Sequence, residues 1–217
     1  MPYLHSFLQT LRITTRWATM VELLVVLAIM GMGIAWLLET IGSGIYFAKD
    51  TENNIKAINL AREWIEGMTN IRDTNWLRFS WDRQNCWRTQ DYNGGCINQP
   101  AFWWQVMSGS YTLHTRNGAW YLSWATTIDF LASWNTYKPE YRVGLDDTGF
   151  YTQTGINLNS SCTWLTQTGC LTLFTREINL NVYNTGSMRV QSIVRWREKR
   201  DRSVILETTL TNWKSKF

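Results

Sequence analysis

Hydrophobic and polar positions change rhythm twice along the chain. From residue 20 to residue 38 the sequence reads MVELLVVLAIMGMGIAWLL, apolar except for Glu22, and is long enough as a helix to cross the roughly 30 Å hydrocarbon core of a bilayer. Beyond it Ile55, Ile58, Ala61, Ile65, Met68 and Ile71 recur every three or four residues, the stripe of an amphipathic helix, with Arg62 and Glu66 placed to pair one turn apart on another face. The two patterns join into one predicted helix over residues 18–74, membrane-spanning over about 20–47. At about 1.5 Å per residue it extends roughly 80 Å, so its outer half needs a surface to cover the apolar stripe.

The last third of the chain alternates with period two. Residues 171–182, 188–196 and 204–210 are three apolar-alternating runs joined by polar turns at 184–187 and 198–202, which predicts an antiparallel three-stranded meander within about residues 170–212. In the second run Met188, Val190, Ser192, Val194 and Trp196 share the face predicted to pack on the stripe led by Ile55 and Ile58, and Arg189, Gln191, Arg195 and Arg197 share the other. Between residues 75 and 168 Asn, Gly, Thr and Ser are frequent and few strands are evident. One hairpin is predicted there, residues 141–145 and 150–153 flanking Asp146, Asp147, Thr148 and Gly149; two carboxylates are too few for a calcium site, so a turn is the reading. The fold class is α+β: a long N-terminal helix, membrane-spanning in its first half, laid against a C-terminal antiparallel sheet.

Charge orients this arrangement. Arg12 and Arg16 precede the apolar span without an acidic residue, whereas Glu39, Asp50 and Glu52 follow it around a single Lys49. The positive-inside bias puts the N-terminus in the cytoplasm and the bulk of the chain outside. A secretory signal peptide also has a basic start and an apolar run, and Gly42, Ser43 and Gly44 offer it small residues; the length of the run and the helical period beyond it speak for a retained anchor. Cys86, Cys96, Cys162 and Cys170 form two local pairs with no CxxC or His cluster. Outside the cytoplasm they suit disulfides, Cys86 with Cys96 and Cys162 with Cys170, because short loops close most easily, although four cysteines permit three connectivities. His5 and His114 stand apart and no phosphate-cradling glycine loop occurs, so no catalytic residue, cofactor or metal is expected, and an enzyme is the poorer class. The net charge of +4 is modest. Arg189, Arg195, Arg197, Lys199, Arg200, Arg202, Lys214 and Lys216 crowd the C-terminal third, mixed with Glu198, Asp201 and Glu207; DNA contact is the functional alternative to a solvated, charge-mixed strand face, which this mixture favours.

The stretch from Ala18 through Thr19, Met20, Val21 and Glu22 into the apolar run up to Ile29 resembles the prepilin N-terminal motif of type IV pilins and pseudopilins, in which a short basic leader ending in glycine precedes Phe-Thr-Leu-Val-Glu. The resemblance implies a leader over residues 1–17, cleavage between Trp17 and Ala18 by a prepilin peptidase with methylation of the new N-terminus, and an extracytoplasmic globular domain over residues 75–217. It also implies assembly through Glu22 with other pilin subunits, driven by pilus or secretion machinery. The precursor would lie in the cytoplasmic membrane and the product in a cell-surface or periplasmic filament. A carboxylate inside an apolar span costs about 2–4 kcal/mol near the centre and less near an end; the partner implied for Glu22 is the free amino group of Ala18 in a neighbouring subunit, the alternative being a headgroup-level carboxylate that snorkels alone. A signal-anchored binding protein that never polymerises, its aromatic domain holding a carbohydrate or host surface, is the reading from another class.

Tryptophan is the anomaly of composition: 14 Trp against 8 Phe and 9 Tyr. Trp17 stands where the motif has glycine, and Trp36, Trp64 and one of Trp103 and Trp104 sit where the local pattern gives a bulky indole no evident reason. The excess is explained if some of these are UGA codons read as glycine in the source organism; the competing account is a Trp-rich surface for sugars or membrane. Trp76, Trp196 and Trp213 fit core or strand-end roles as true tryptophans.

Overall fold

The computed structural model describes residues 3–99, 105–116, 118–125, 141–146, 148, 150–153, 170–198 and 200–216, with backbone alone for 3–19, 125, 215 and 216. Two compact units divide the chain, Met1–Asn53 and Asn54–Phe217. One helix, α1 (Tyr3–Arg78), supplies the first unit and opens the second. It begins earlier and ends one turn later than the periodicity predicts.

In the second unit the helix buries Ala57, Leu60, Ala61, Trp64, Met68 and Ile71, the three- and four-residue spacing of one helical face. This face is rotated from the predicted stripe: Ala61, Met68 and Ile71 belong to it, but Ile55 is exposed and Trp64 is fully buried. Gly67 sits on the same face, where an added Cβ would lie 2.5 Å from Leu113 Cδ2 and 3.1 Å from the Trp120 ring. Glycine there lets helix and sheet approach closely.

A short helix, α2 (Arg83–Cys86), follows α1, and then seven strands: β1 (Gly109–Arg116), β2 (Ala119–Ala125), β3 (Arg142–Leu145), β4 (Tyr151–Thr152), β5 (Cys170–Asn184), β6 (Ser187–Arg197) and β7 (Asp201–Thr211). All pair antiparallel in one sheet. Strand β5 is the hub. Along one edge it pairs with β6 from Phe174↔Trp196 to Asn184↔Ser187; along the other its start pairs with β3 and its later part with β1. The predicted meander is present as β5, β6 and β7, and the predicted hairpin as β3 and β4 with Leu145 opposite Tyr151.

The segment read as irregular holds a full hairpin. Strand β1 pairs with β2 from Ser110↔Ala125 to Arg116↔Ala119, and Gly118 immediately precedes β2. Gly118 has φ +75°, the left-handed region that glycine enters without steric cost. The inner side of β1, Tyr111 and Leu113, joins Trp64, Met68, Ile71, Trp76, Ile178, Leu180, Met188 and Val190 in the main core. Nearer the start of this helix segment Ala57, Leu60 and Ala61 pack with Val143, Phe174, Val194 and Trp196 in a second cluster. As predicted, Met188, Val190, Ser192, Val194 and Trp196 all lie on the buried side of β6.

A buried charge fixes where the helix meets the sheet. Arg176 of β5 points into the core at 2 % exposure, donates through Nη1 to Glu63 Oε2 at 2.6 Å and to the Leu60 carbonyl at 3.3 Å, and lies 4.2 Å over the Trp64 ring. Burial pulls its pKa down to about 10 against the opposing attraction of Glu63. Arg176 Nε finds no acceptor among the described residues, so Glu63 is the main compensation for a desolvated cation. Glu63 is 40 % exposed and faces solvent on its other side. The two partners are therefore unequal. Glu63→Ala is expected to destabilise the protein by about 2–4 kcal/mol by leaving the cation buried and unpaired, while Arg176→Met, which keeps the bulk and frees Glu63 to water, should stay within about 1 kcal/mol of wild type. Chemical denaturation of the full chain in detergent measures both; equal losses would show that the pair contributes by attraction alone.

Candidate functional site

The first unit presents the feature with most functional consequence. Among its described side chains, Met20, Val21, Leu23, Leu24, Leu27, Ile29 and Met30 are all more than half exposed, and the pattern continues through Leu38, Ile41, Ile45 and Phe47. Glu22 is exposed among them and is the acid in this apolar run. The helix is long and apolar enough to span a membrane. Its hydroxyls turn inward on their own backbone: Thr40 donates to the Trp36 carbonyl at 2.9 Å, Ser43 to Thr40 at 2.9 Å and Thr51 to Phe47 at 2.8 Å. In this way a helix carries polar side chains through an apolar medium. Gly31 and Gly33 are helical, with open space where a Cβ would stand. Trp17 and Ala18 lie on α1, and their side chains fall outside the described residues.

In the second unit the first disulfide expectation is met. Cys86 and Cys96 are bonded, with Cα atoms 5.2 Å apart, and both sulfurs are buried beside Phe79. Cys170 is disulfide-bonded too; Cys162, its expected partner, falls outside the described residues. The Cys86–Cys96 loop is organised by residues that carry no periodic signal. Asp82 caps α2 by accepting from the Asn85 amide at 3.2 Å and the Asn85 side chain at 2.9 Å, and it accepts from the Asn98 amide at 2.6 Å. Burial pushes this carboxyl up, but those hydrogen bonds outweigh it and hold it below the ordinary aspartate value. Buried Asn75 donates to the Trp87 and Thr89 carbonyls, and Asn212 accepts from the Trp76 indole at 2.8 Å while donating to Arg83. These amides tie the end of α1, the disulfide loop and the C-terminal segment together. Trp213 stacks edge-on against Trp76 at 5.4 Å and remains 57 % exposed, and Trp81 is 88 % exposed.

Asp146 behaves as a turn residue. Its Oδ1 accepts from the Thr148 amide, the Thr148 hydroxyl and the Phe150 amide at 2.9, 2.6 and 2.9 Å, and Asp147 falls outside the described residues. No cluster of three or more potential metal ligands occurs among the described residues. The basic C-terminal third is charge-paired along β6: Arg189 with Glu207, Arg195 with Glu177, and Arg197 with Asp201. Arg200 and Arg202 are exposed, Lys214 lies 5.1 Å over the Trp213 ring, and Lys199 falls outside the described residues.

His114, on β1, stacks on Tyr121 and comes within 3.5 Å of the Ser123 hydroxyl, the outer limit of a hydrogen bond. Burial holds its pKa below the ordinary histidine value, with the Asp91 charge opposing and Arg116 reinforcing; burial in turn raises Asp91. A base held below its unfolded value favours the folded state when unprotonated. Its contribution is complete above about pH 6.5 and is lost as pH falls through the lower folded-state value. Urea midpoints measured between pH 7 and pH 5 should therefore fall, and His114→Gln should remove that part of the slope; an unchanged slope would place the acid sensitivity elsewhere.

No protein-family model, curated protein or solved structure matches this chain. The class that fold and site define is an α+β protein whose long N-terminal helix is apolar and exposed in its first part and packed on an antiparallel sheet in its second. A disulfide closes the loop that follows this helix.

Proposed function

We propose that the chain is a type IV pilin-like precursor, a structural subunit of a pilus or of a secretion-like pseudopilus. The observation that carries the reading is Glu22, a lone acid near the inner end of an otherwise apolar, uncovered helical surface. Such a surface is stable in lipid or against copies of itself, and not in water. In lipid the acid is a cost; between copies it becomes a register mark, because only one axial offset places it against a neighbour's N-terminal amine. The prepilin-like residues from Ala18 through Glu22 add cleavage after Trp17 and methylation of Ala18. The N-terminus lies on the cytoplasmic side before processing, and the partners are other pilin subunits, the prepilin peptidase and the assembly machinery. The Cys86–Cys96 bridge fits an oxidising, extracytoplasmic location for the second unit.

A second reading rests on a separate observation. Trp81 and Trp213 are strongly exposed aromatics, surfaces suited to a carbohydrate face or a host membrane, as a signal-anchored adhesin would present. Mass spectrometry of the mature protein separates the two: the pilin reading expects loss of residues 1–17 and one methyl group on Ala18, and an intact N-terminus would sink it. The same spectrum reports whether Trp36 is tryptophan or glycine. Glu22→Ala should leave membrane insertion intact and reduce incorporation into filaments at least about tenfold, the effect of losing one desolvated charge contact of 1.5–3 kcal/mol; filaments at wild-type yield would remove the register role from Glu22.

A further inference from the structure

The margins of the sheet are finished in different ways. At β2 the Cys86–Cys96 loop reaches the strand, where the Tyr92 hydroxyl donates to the Trp120 carbonyl at 2.9 Å, and β4 stops after two residues. Strand β7 runs for 11 residues and pairs, among the described residues, with β6 alone. Seven of the 11 are exposed, so the strand faces solvent along most of its length. A sheet edge presents a row of backbone N–H and C=O groups able to pair with another strand, and proteins commonly blunt it with proline, lysine or a bulge. The sequence DRSVILETTLT has none of these residues, and its register with β6 is unbroken from Ser187↔Thr211 to Arg197↔Asp201.

The acidic side chains of the strand are drawn back from the margin. Arg197 holds Asp201, and Arg189 and Gln191 hold Glu207, all three from β6. The apolar positions are incompletely covered. Val204 and Leu206 pack, partly buried, against the cluster of Ala57, Phe174 and Trp196 on the helix side, and Ile205 on the opposite side is 55 % exposed. The order of these residues is self-complementary about Ile205. With two copies of β7 antiparallel around a two-fold axis at Ile205, Val204 of each meets Leu206 of the other on the helix side, and Ile205 meets its counterpart on the far side. Ser203 then lies opposite Glu207, Arg202 opposite Thr208 and Asp201 opposite Thr209, so no like charges face each other. An axis at Val204 would set Asp201 against Glu207, and one at Leu206 would set Ile205 against Glu207, which leaves the Ile205 register as the one without conflict.

We propose that β7 is a docking edge for a second copy of this chain, joined β7 to β7 in antiparallel register about Ile205. The pairing adds backbone hydrogen bonds across the margin, continues the sheet from one copy into the other, and covers Val204 and Leu206 with the same pair from the partner. It reverses one copy relative to the other, so it is separate from side-by-side packing of the apolar helices and does not involve Glu22. In a filament whose subunits share one direction, it joins one filament to another.

Cysteine cross-linking of the full chain in detergent tests the contact. Residues directly opposite on antiparallel strands have Cα atoms about 4.5–5.5 Å apart, within disulfide reach, whereas the two Ser203 positions are offset by four residues, about 14 Å. Under mild oxidation Ile205→Cys is expected to give a covalent dimer on a non-reducing gel, at least about tenfold more than Ser203→Cys, with far-UV circular dichroism confirming that both variants fold. In the Ile205→Cys background Ser203→Glu, which faces the partner's Glu207, should cut the yield about threefold or more, and Ser203→Lys should not. Adding Glu22→Ala to the same background should leave the yield unchanged. Monomer alone from oxidised Ile205→Cys, equal cross-linking of Ser203→Cys, or loss of the dimer with Glu22→Ala overturns the proposal.

Discussion

The second unit depends on a single contact surface, the face of α1 from Ala57 to Ile71 laid on the inner side of β5 and β6. Met188, Val190, Val194 and Trp196 of β6 point at it, and β5 sends Phe174, Arg176, Ile178 and Leu180 toward it in strict alternation. At about 25 cal/mol per Å² of apolar area removed from water, this is where most of the favourable burial resides. Hydrophobic burial is non-directional, however, and would tolerate a helix shifted by a turn. Arg176 supplies the direction: its charge has one carboxylate, one carbonyl and one indole face within reach, and a displaced helix would abandon all three. Gly67 adds a steric counterpart, since only there can Leu113 and Trp120 approach the helix backbone.

Strand β5 also explains how so long an element is kept in a sheet. Its 15 residues exceed what one neighbour on the β1 and β3 edge can pair, so two separate hairpins share that edge, one toward each end. The far side of the same strand carries Glu177, bonded to Ser110 of β1 and to Arg195 of β6. Adjacent residues 176 and 177 therefore bury opposite charges on opposite faces. Each is matched by a partner from a different element, which couples helix, hairpin and meander through one dipeptide.

Legibility in the sequence followed the strength of the local pattern. The β5–β6–β7 meander was readable because each strand alternates over many residues and each turn is polar. Strands β1 and β2 escape the period-two pattern because their signal is short: in β1, Tyr111 and Leu113 alternate with Ser110, Thr112 and His114 over only five residues. The signal that could have found them is Asn117-Gly118, a hairpin dipeptide set between two strand-forming runs. The predicted helix stripe is centred off the buried face because Ile55, Ile58 and Ile65 dominate its hydropathy, whereas a face pressed on a sheet selects small residues such as Ala57, Ala61 and Gly67 where the backbones come closest. Glu22 was legible because a charge within an apolar run needs no tertiary information to stand out.

The tryptophans show how far a residue's identity can be argued from its surroundings. The local pattern gives Trp64 no evident reason between Glu63 and Ile65, yet it is fully buried and carries the Arg176 guanidinium on its face. A glycine there would leave an indole-sized void in the core and strip Arg176 of one of its three compensations, a loss on the order of the 3–5 kcal/mol that removing a buried tryptophan costs. The glycine decoding therefore does not extend to Trp64. Trp36 is the opposite case: 74 % exposed on the apolar helix, it makes no core contact whose loss would be felt, so glycine at that position meets no structural objection beyond about 1 kcal/mol of helix propensity. One residue type thus falls into two physical classes on the same helix, and only the class without a packing role leaves room for a different decoding.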